Sequence, residues 1–406
     1  MRMHNGNELA KERRKTVARS VLLIAPLVAF LFLFFILPLA MMLLYAVSNT
    51  EVRNALPKTA AEVREWHQNT LLPASAFEAL AGDLRADSGD MQLGEAARRL
   101  DYEIAGYRRL LFKTAKALNT VSTSSNWRAE FLRIDERWSE LKYWTALRRA
   151  SEPITPYYLL AALDLRIDDS GNIVRMPPEQ RVYVGTFIRT FWIGGVVTLC
   201  CLLLGYPLAY AIMTLPSKFA TLLTFSVLLP FWTSLLVRTS AWIVVLSREG
   251  IVNSALSRLG LIGEPLQLIF NRTGLYIVMV HILLPFMVLP ILSVMKGVSP
   301  NYMRASASLG AHPVIGFLKV YLPLTLPGIG AGSLMTFIIA IGYYVTPALV
   351  GGSRENMISF FIAFHTNHTI NWGMAAALGL LLLTCVLLLY ATIGRVIGVS
   401  RIIGWK

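Results

Sequence analysis

Few side chains in this 406-residue sequence are spaced to do chemistry, and those few point away from catalysis. His365 and His368 lie three residues apart, a spacing that suits a metal, but no carboxylate or cysteine accompanies them, and a zinc site needs three or four ligands. Asp168 and Asp169 look like an acid–base pair until Ser170-Gly171-Asn172 marks them as part of a turn. Nothing reads G-x-x-x-x-G-K-[ST], so there is no phosphate loop and ATP hydrolysis is expected on another chain. Neither a metal nor an organic cofactor is expected, and no catalytic residue stands out.

The elements that carry the remaining polar residues are apolar runs. The sequence is 55% hydrophobic with a mean hydropathy of +0.54, far above a soluble average. Runs at 21–47, 184–215, 219–246, 275–297, 324–350 and 373–399 are each long enough to cross a hydrocarbon core of about 30 Å. Six spans in contact with membrane lipid follow. The first is longer than the roughly 7–15 apolar residues of a signal peptide and reads as an uncleaved anchor. The net charge of +14 lies entirely outside 51–181, which balances 19 Lys/Arg against 19 Asp/Glu. A basic surplus flanking apolar spans sets membrane orientation and does not call for nucleic acid. Lys218, Lys296, Arg304, Lys319, Arg395, Arg401 and Lys406 fall on the side of the basic N-terminal tail, which places both termini in the cytoplasm. Cys200, Cys201 and Cys385 sit in apolar runs, so no disulfide framework supports the polar segment.

Within the spans there is no Asp or Glu, and Arg238 is the conspicuous charge. A lone cation at that depth costs about 2.5–3.5 kcal/mol on insertion scales. It therefore either lines a pathway or binds carbonyls freed near Pro230, and the second reading is the stronger. Trp232, Trp242 and Tyr344 are candidates for lining a pathway, where each aromatic face offers a cation about 0.5–2 kcal/mol. The alternative for them is helix packing or an interfacial belt.

The segment 48–183 has its own order. Leu93, Ala97, Leu100, Ile104, Tyr107, Leu111, Thr114, Leu118 and Val121 step as a heptad seam, which predicts one helix about 43 Å long. A break at Ser122-Thr123-Ser124-Ser125-Asn126 and a second stripe, Phe131, Ile134, Trp138, Leu141 and Trp144, complete an antiparallel helical hairpin. A third helix is expected near Ala74–Ala86. A small β-hairpin around Asp168–Asn172 returns the chain to the membrane.

Between the fourth and fifth spans stands Arg304-Ala305-Ser306-Ala307-Ser308-Leu309-Gly310-Ala311, followed by Leu322-Pro323 and Pro327-Gly328. Small residues allow a short helix to seat closely against a partner, and Gly310 is the natural closing residue. The pattern resembles the coupling loop of binding-protein-dependent ABC importer permeases: Glu-Ala-Ala, two variable residues, Leu-Gly-Ala, then Leu-Pro. Leu309, Gly310, Ala311, Leu322, Pro323 and Pro327 match; Arg304 stands where the family has Glu, and Ser306 where it has the second Ala. Pro230–Arg238 and Tyr343–Gly352 resemble the third and fifth spans of the spermidine/putrescine branch. The resemblance covers roughly 180–400 and the first span; 51–180 is an insertion relative to compact members.

The resemblance implies an all-α integral membrane fold of the type I ABC importer permease class, with six transmembrane helices and a mainly helical extracytoplasmic insert. Its parts are a tail at 1–20, a first span at 21–47, the insert at 48–183, spans two to six at 184–399 with the coupling loop at 298–323, and a tail at 400–406. It further implies half of a translocation pathway in a bacterial inner membrane. The partners are two cytoplasmic ATPase subunits, a second homologous permease and a periplasmic substrate-binding protein. Polyamine-like solutes are the expected cargo, with opines, phosphonates and iron as alternatives carried by related branches. A membrane sensor with an external helical domain is a rival that four further spans argue against. A transporter run by ion gradients is another, and the absence of intramembrane carboxylates and repeats argues against it.

Overall fold

Inside a bilayer every backbone N–H and C=O must be paired within the segment, so apolar runs of this length become helices. The computed structural model describes residues 20, 22–66, 71–86, 90–120, 126–168 and 171–397. The basic tail up to Arg19, the expected turn at Ser122–Ser125, Asp169, Ser170 and the tail at 400–406 lie outside them. Among the described residues five helices are long and apolar enough to cross a membrane: Leu22–Leu44, Tyr183–Thr214, Arg272–Gly297, Pro313–Gly342 and one beginning at Trp372. A sixth candidate is a bent pair, Ser217–Trp232 with Leu235–Arg258. The chain divides into two bodies, one of 1–161, 165–175 and 372–377, the other of 162–164, 176–371 and 378–406.

The first body holds the polar segment, and it departs from the expected long hairpin. The seam is cut into Asp90–Glu103 and Tyr107–Leu118, because Gly106 takes a left-handed φ of +87° that ends one helix before the next begins. The Asp101 carboxylate then accepts hydrogen bonds from the N–H groups of Gly106 and Arg108, at 2.9 and 3.0 Å, and holds the corner. The second stripe is likewise split into Trp127–Ile134 and Leu141–Ser151 by a short turn. The helix expected near 74–86 spans Ala74–Ala86. These short helices close around an aromatic core in which Trp138 and Trp144 lie 5.2 Å apart and Phe77 meets Trp144 at 4.6 Å. Each indole N–H is paired, Trp138 to Thr114 Oγ1 at 2.9 Å and Trp144 to the Trp138 carbonyl at 3.0 Å, as burial requires. Arg99, 1% exposed, pairs with Glu103 at 2.9 Å, donates to Asn49 and lies over the Tyr157 ring at 4.2 Å. Leu165–Ile167 and Ile173–Arg175 form the antiparallel hairpin, and the Asp168 carboxylate accepts from Asn172 N–H within its turn.

The second body is built on three helices, Tyr183–Thr214, Arg272–Gly297 and Pro313–Gly342, that pack on one another. Lipid gives little drive for helix association, so close packing of small residues must supply it. Gly328 and Gly332, one turn apart, do this. A Cβ on Gly332 would stand 2.8 Å from the Met287 carbonyl, and one on Gly328 would stand 3.1 Å from Ile291 Cα. Neither position leaves room for a side chain. The helix of the fifth span starts at Pro313, well before the expected Leu324, and passes through a π-turn at Phe317–Tyr321. Pro323 and Pro327 thus lie within this helical run instead of opening it. It ends at Gly342, short of the expected Val350, and a separate short helix follows at Val345–Val350.

Candidate functional site

The third span is where sequence and structure differ most usefully. The apolar run 219–246 forms two twelve-residue helices, Ser217–Leu228 and Leu235–Leu246, either side of a short 3-10 turn, and the longer segments that hold them, Ser217–Trp232 and Leu235–Arg258, are bent through 108°. At about 1.5 Å per residue each covers roughly 18 Å, too short to cross alone. The residues at the join explain it. Pro230 cannot donate a backbone hydrogen bond, and Thr233 and Ser234 are extended, with Ser234 Oγ accepting from Val237 N–H as the cap of the second helix.

Breaking a helix at this depth frees carbonyls that lipid cannot satisfy. Arg238, one turn into the second helix, reaches back to them. Its Nη2 donates to the Thr233 carbonyl at 2.8 Å and to the Pro230 carbonyl, and its Nε donates to Thr233 Oγ1 at 3.2 Å. The guanidinium is thereby engaged as a clip across the break.

The break in the third span lies beside the break after the fifth. Thr239 Oγ1 and Thr346 Oγ1 are 3.5 Å apart and both are buried. Tyr344 occupies the second break and is 43% exposed. Trp242, half-buried, donates its indole N–H to His281 Nδ1 at 3.1 Å. Arg238 and Tyr344 thus lie at two adjoining breaks, while Trp242 lies two turns into the second helix, against the fourth span. Trp232 stands at the edge of the first break with its ring turned to Phe225, 4.9 Å away.

His281 is absent from the expectations drawn from sequence, which were framed around carboxylates. The signal was available, since an imidazole in the middle of an apolar run is a functional candidate by default. Because an indole N–H can only donate, Nδ1 of His281 must present its lone pair, which puts the proton of the neutral ring on Nε2.

The loop from Arg304 to Ala311, expected from its motif to couple to an ATPase, lies elsewhere in the same body. His281 and Lys296 are separated by about 22 Å along the fourth span. Asn301–Ser308 is a helix with no buried residue. It closes in a Schellman arrangement: Gly310 at φ +80°, its N–H bonded to the Ala307 carbonyl at 2.9 Å, and Ala311 N–H to the Ser306 carbonyl at 3.1 Å. Leu309 is left 88% exposed, Arg304 and Ala305 are exposed, and Ala311 is half-buried. Gly316 fixes the helix to the start of the fifth span, since a Cβ there would stand 2.9 Å from Ser306 Oγ. A hydroxyl at Ser306 is accommodated because that neighbour is glycine.

His365 uses both ring nitrogens, Nε2 with Tyr183 Oη at 2.9 Å and Nδ1 with Thr369 Oγ1 at 3.1 Å. Burial pushes its pKa down to about 4, which keeps the ring neutral in this network. His368 stacks on Phe364. No cluster of three or more potential metal ligands occurs among the described residues.

Comparison with known proteins gives the family of the chain. No protein-family model matches the chain. The spermidine/putrescine transport system permease protein PotB of Haemophilus influenzae is 32% identical over 245 residues, covering 58% of this chain and 86% of that protein. PotB of Escherichia coli is 33% identical over 225 residues, 55% of this chain and 78% of that one. The molybdenum transport system permease protein ModB of Mycobacterium bovis is 25% identical over 63% of this chain and 95% of its own. A solved bacterial alginate ABC transporter, in complex with a periplasmic protein carrying an alginate pentasaccharide, overlays with a TM-score of 0.45 at 18% identity, over 53% of this chain and 78% of that one. With nearly the whole of a PotB aligned at this identity, the chain belongs to the family of ABC importer permeases, on the spermidine/putrescine transport-system branch.

Proposed function

We propose that this permease forms half of an ATP-driven import pathway for small polyamine-like cations across a bacterial inner membrane. The similarity to spermidine/putrescine permeases over most of their length carries the reading. As a transport subunit the chain has no catalytic activity of its own; ATP is hydrolysed on two partner ATPase chains that seat on the loop from Arg304 to Ala311. A second, related permease completes the pathway, and a periplasmic binding protein delivers the cargo. Alternating access links them, with closure of the ATPases moving the coupling helix and rocking the spans between inward- and outward-open states.

The adjoining breaks suit a cargo with several positive charges. They expose aromatic faces at Trp232 and Tyr344 and contain no carboxylate, so each contact is weak enough to release the cargo again. The involvement of Arg238 with carbonyls favours a structural role over a cargo-binding one. An anionic cargo is the alternative, and it would make Arg238 the leading pathway residue.

One reconstitution tests function and orientation together. Single cysteines replace Ser139 in the insert and Ser308 in the coupling loop, both exposed, in a chain without Cys200, Cys201 and Cys385. The complex should hydrolyse ATP only when the ATPase is added on the face where position 308 is labelled. Stimulation should need spermidine-loaded binding protein on the face where position 139 is labelled. Hydrolysis by the permease alone, or labelling of both cysteines from one face, contradicts the proposal.

A further inference from the structure

The coupling helix breaks a local rule. Asn301–Ser308 has no acidic residue in its first turn, and its cap, Pro300, offers no side chain to the free N–H groups. The N-terminal end of a helix carries a partial positive charge, which favours an anion nearby. Arg304 instead places a full positive charge close to that end, is exposed, and joins no ion pair among the described residues. No carboxylate among the described residues pairs with it. The sequence contains no Asp or Glu between Glu264 and Glu355, while Lys296, Arg304 and Lys319 all fall in or beside this loop. Five residues on, at the end of the same helix, Leu309 is 88% exposed, with Tyr302 53% and Val314 57% exposed.

Resting on the coupling-loop reading above, we propose that the ATPase groove receiving this helix is acidic, presenting at least one carboxylate to Arg304 beside an apolar pocket for Leu309. A guanidinium carried into a protein groove loses its water, and that loss is tolerable only when an opposite charge replaces it. A carboxylate at this place answers two demands at once, the Arg304 charge and the uncapped helix end. The side chains are ready for it: Gly310 ends the helix so that Leu309 projects, and the Gly316 contact holds the helix against the fifth span. The partner is therefore distinguishable by chemistry, because a groove lined with Arg or Lys would reject this helix.

The test is the affinity of the purified cognate ATPase for the complete permease pair in lipid nanodiscs, measured between about 0.05 and 0.5 M salt. Arg304→Gln should weaken binding by about tenfold and Arg304→Glu by about a hundredfold. Binding to the unaltered permease should weaken with salt, and Arg304→Gln should flatten that dependence. Leu309→Asp, at an exposed position where folding is not at risk, should prevent docking whatever the charge of the groove. If Arg304→Glu binds as tightly as the unaltered chain while Leu309→Asp still fails, the acidic groove is refuted and the coupling loop stands. If neither substitution changes binding, the coupling-loop reading falls and takes the acidic groove with it.

Discussion

Arg238 shows how one side chain can make a break in a membrane helix tolerable. The Pro230 and Thr233 carbonyls have no backbone donor to replace the helical one, and the guanidinium fork serves both together with Thr233 Oγ1. Removing it leaves the Thr233 carbonyl without this donor and the Pro230 carbonyl with the Thr233 hydroxyl alone, at 3.2 Å; a polar group left unpaired away from water costs about 1–3 kcal/mol. Arg238→Ala is therefore expected to lower the yield of folded complex and its unfolding temperature in detergent. The transport that remains should keep its cargo preference. Arg238→Lys should recover only part of the stability, since an ammonium lacks the fork that spans both carbonyls. A stable Arg238→Ala complex with altered selectivity would contradict the structural role. The sequence alone posed both readings of this residue; what it could not supply was the 108° turn that brings the guanidinium back onto Pro230.

Among the elements, the breaks in the helices matter more than the helices. Six apolar runs were legible because hydropathy reports burial in lipid directly. It is blind to bends: Pro230-Phe231-Trp232-Thr233-Ser234 and Tyr343-Tyr344 remain apolar enough to be read through, and the chain turns at both. Gly106 hid in the insert for a related reason, since a heptad seam continues across a single left-handed residue without losing its register. The Gly310 end was legible, because a glycine after a run of small helical residues has few other uses. The pairing of Gly328 and Gly332 with the fourth span carries a further expectation. Gly332→Val forces a branched side chain into the Met287 carbonyl, and overpacking of this kind costs about 1–3 kcal/mol. Since Met287 lies on the fourth span between His281 and the end that leads into the loop at 298–312, displacing it should uncouple ATP hydrolysis from transport as well as destabilise the complex. Thermal unfolding together with the ratio of cargo moved to ATP hydrolysed checks this. Unchanged values for both would mean that the two helices do not approach as closely as described.

At the scale of the whole molecule, two bodies with different physics share one chain. The insert is held by an aromatic core and by buried polar pairs such as Arg99 with Glu103, as a soluble domain is. The membrane body relies on small residues and on backbone groups satisfied within each helix, with Arg238 serving carbonyls freed at the break in the third span. The helix before Leu309 is held to the start of the fifth span at Gly316, and the fifth span packs on the fourth, which carries His281, so movement imposed at Leu309 and Gly310 has a packed route toward Trp242 and His281. The most direct measurement of the central claim is uptake of labelled putrescine or spermidine into proteoliposomes holding both permeases and the ATPases, with binding protein outside and ATP inside. The account predicts uptake that requires ATP, is competed by unlabelled polyamine, is unaffected by ferric iron or small anions, and falls several-fold in Trp232→Ala and Tyr344→Ala while the binding protein's own affinity is unchanged. Uptake of an anion in place of polyamine, abolished by Arg238→Gln in a stably assembled complex, would contradict it.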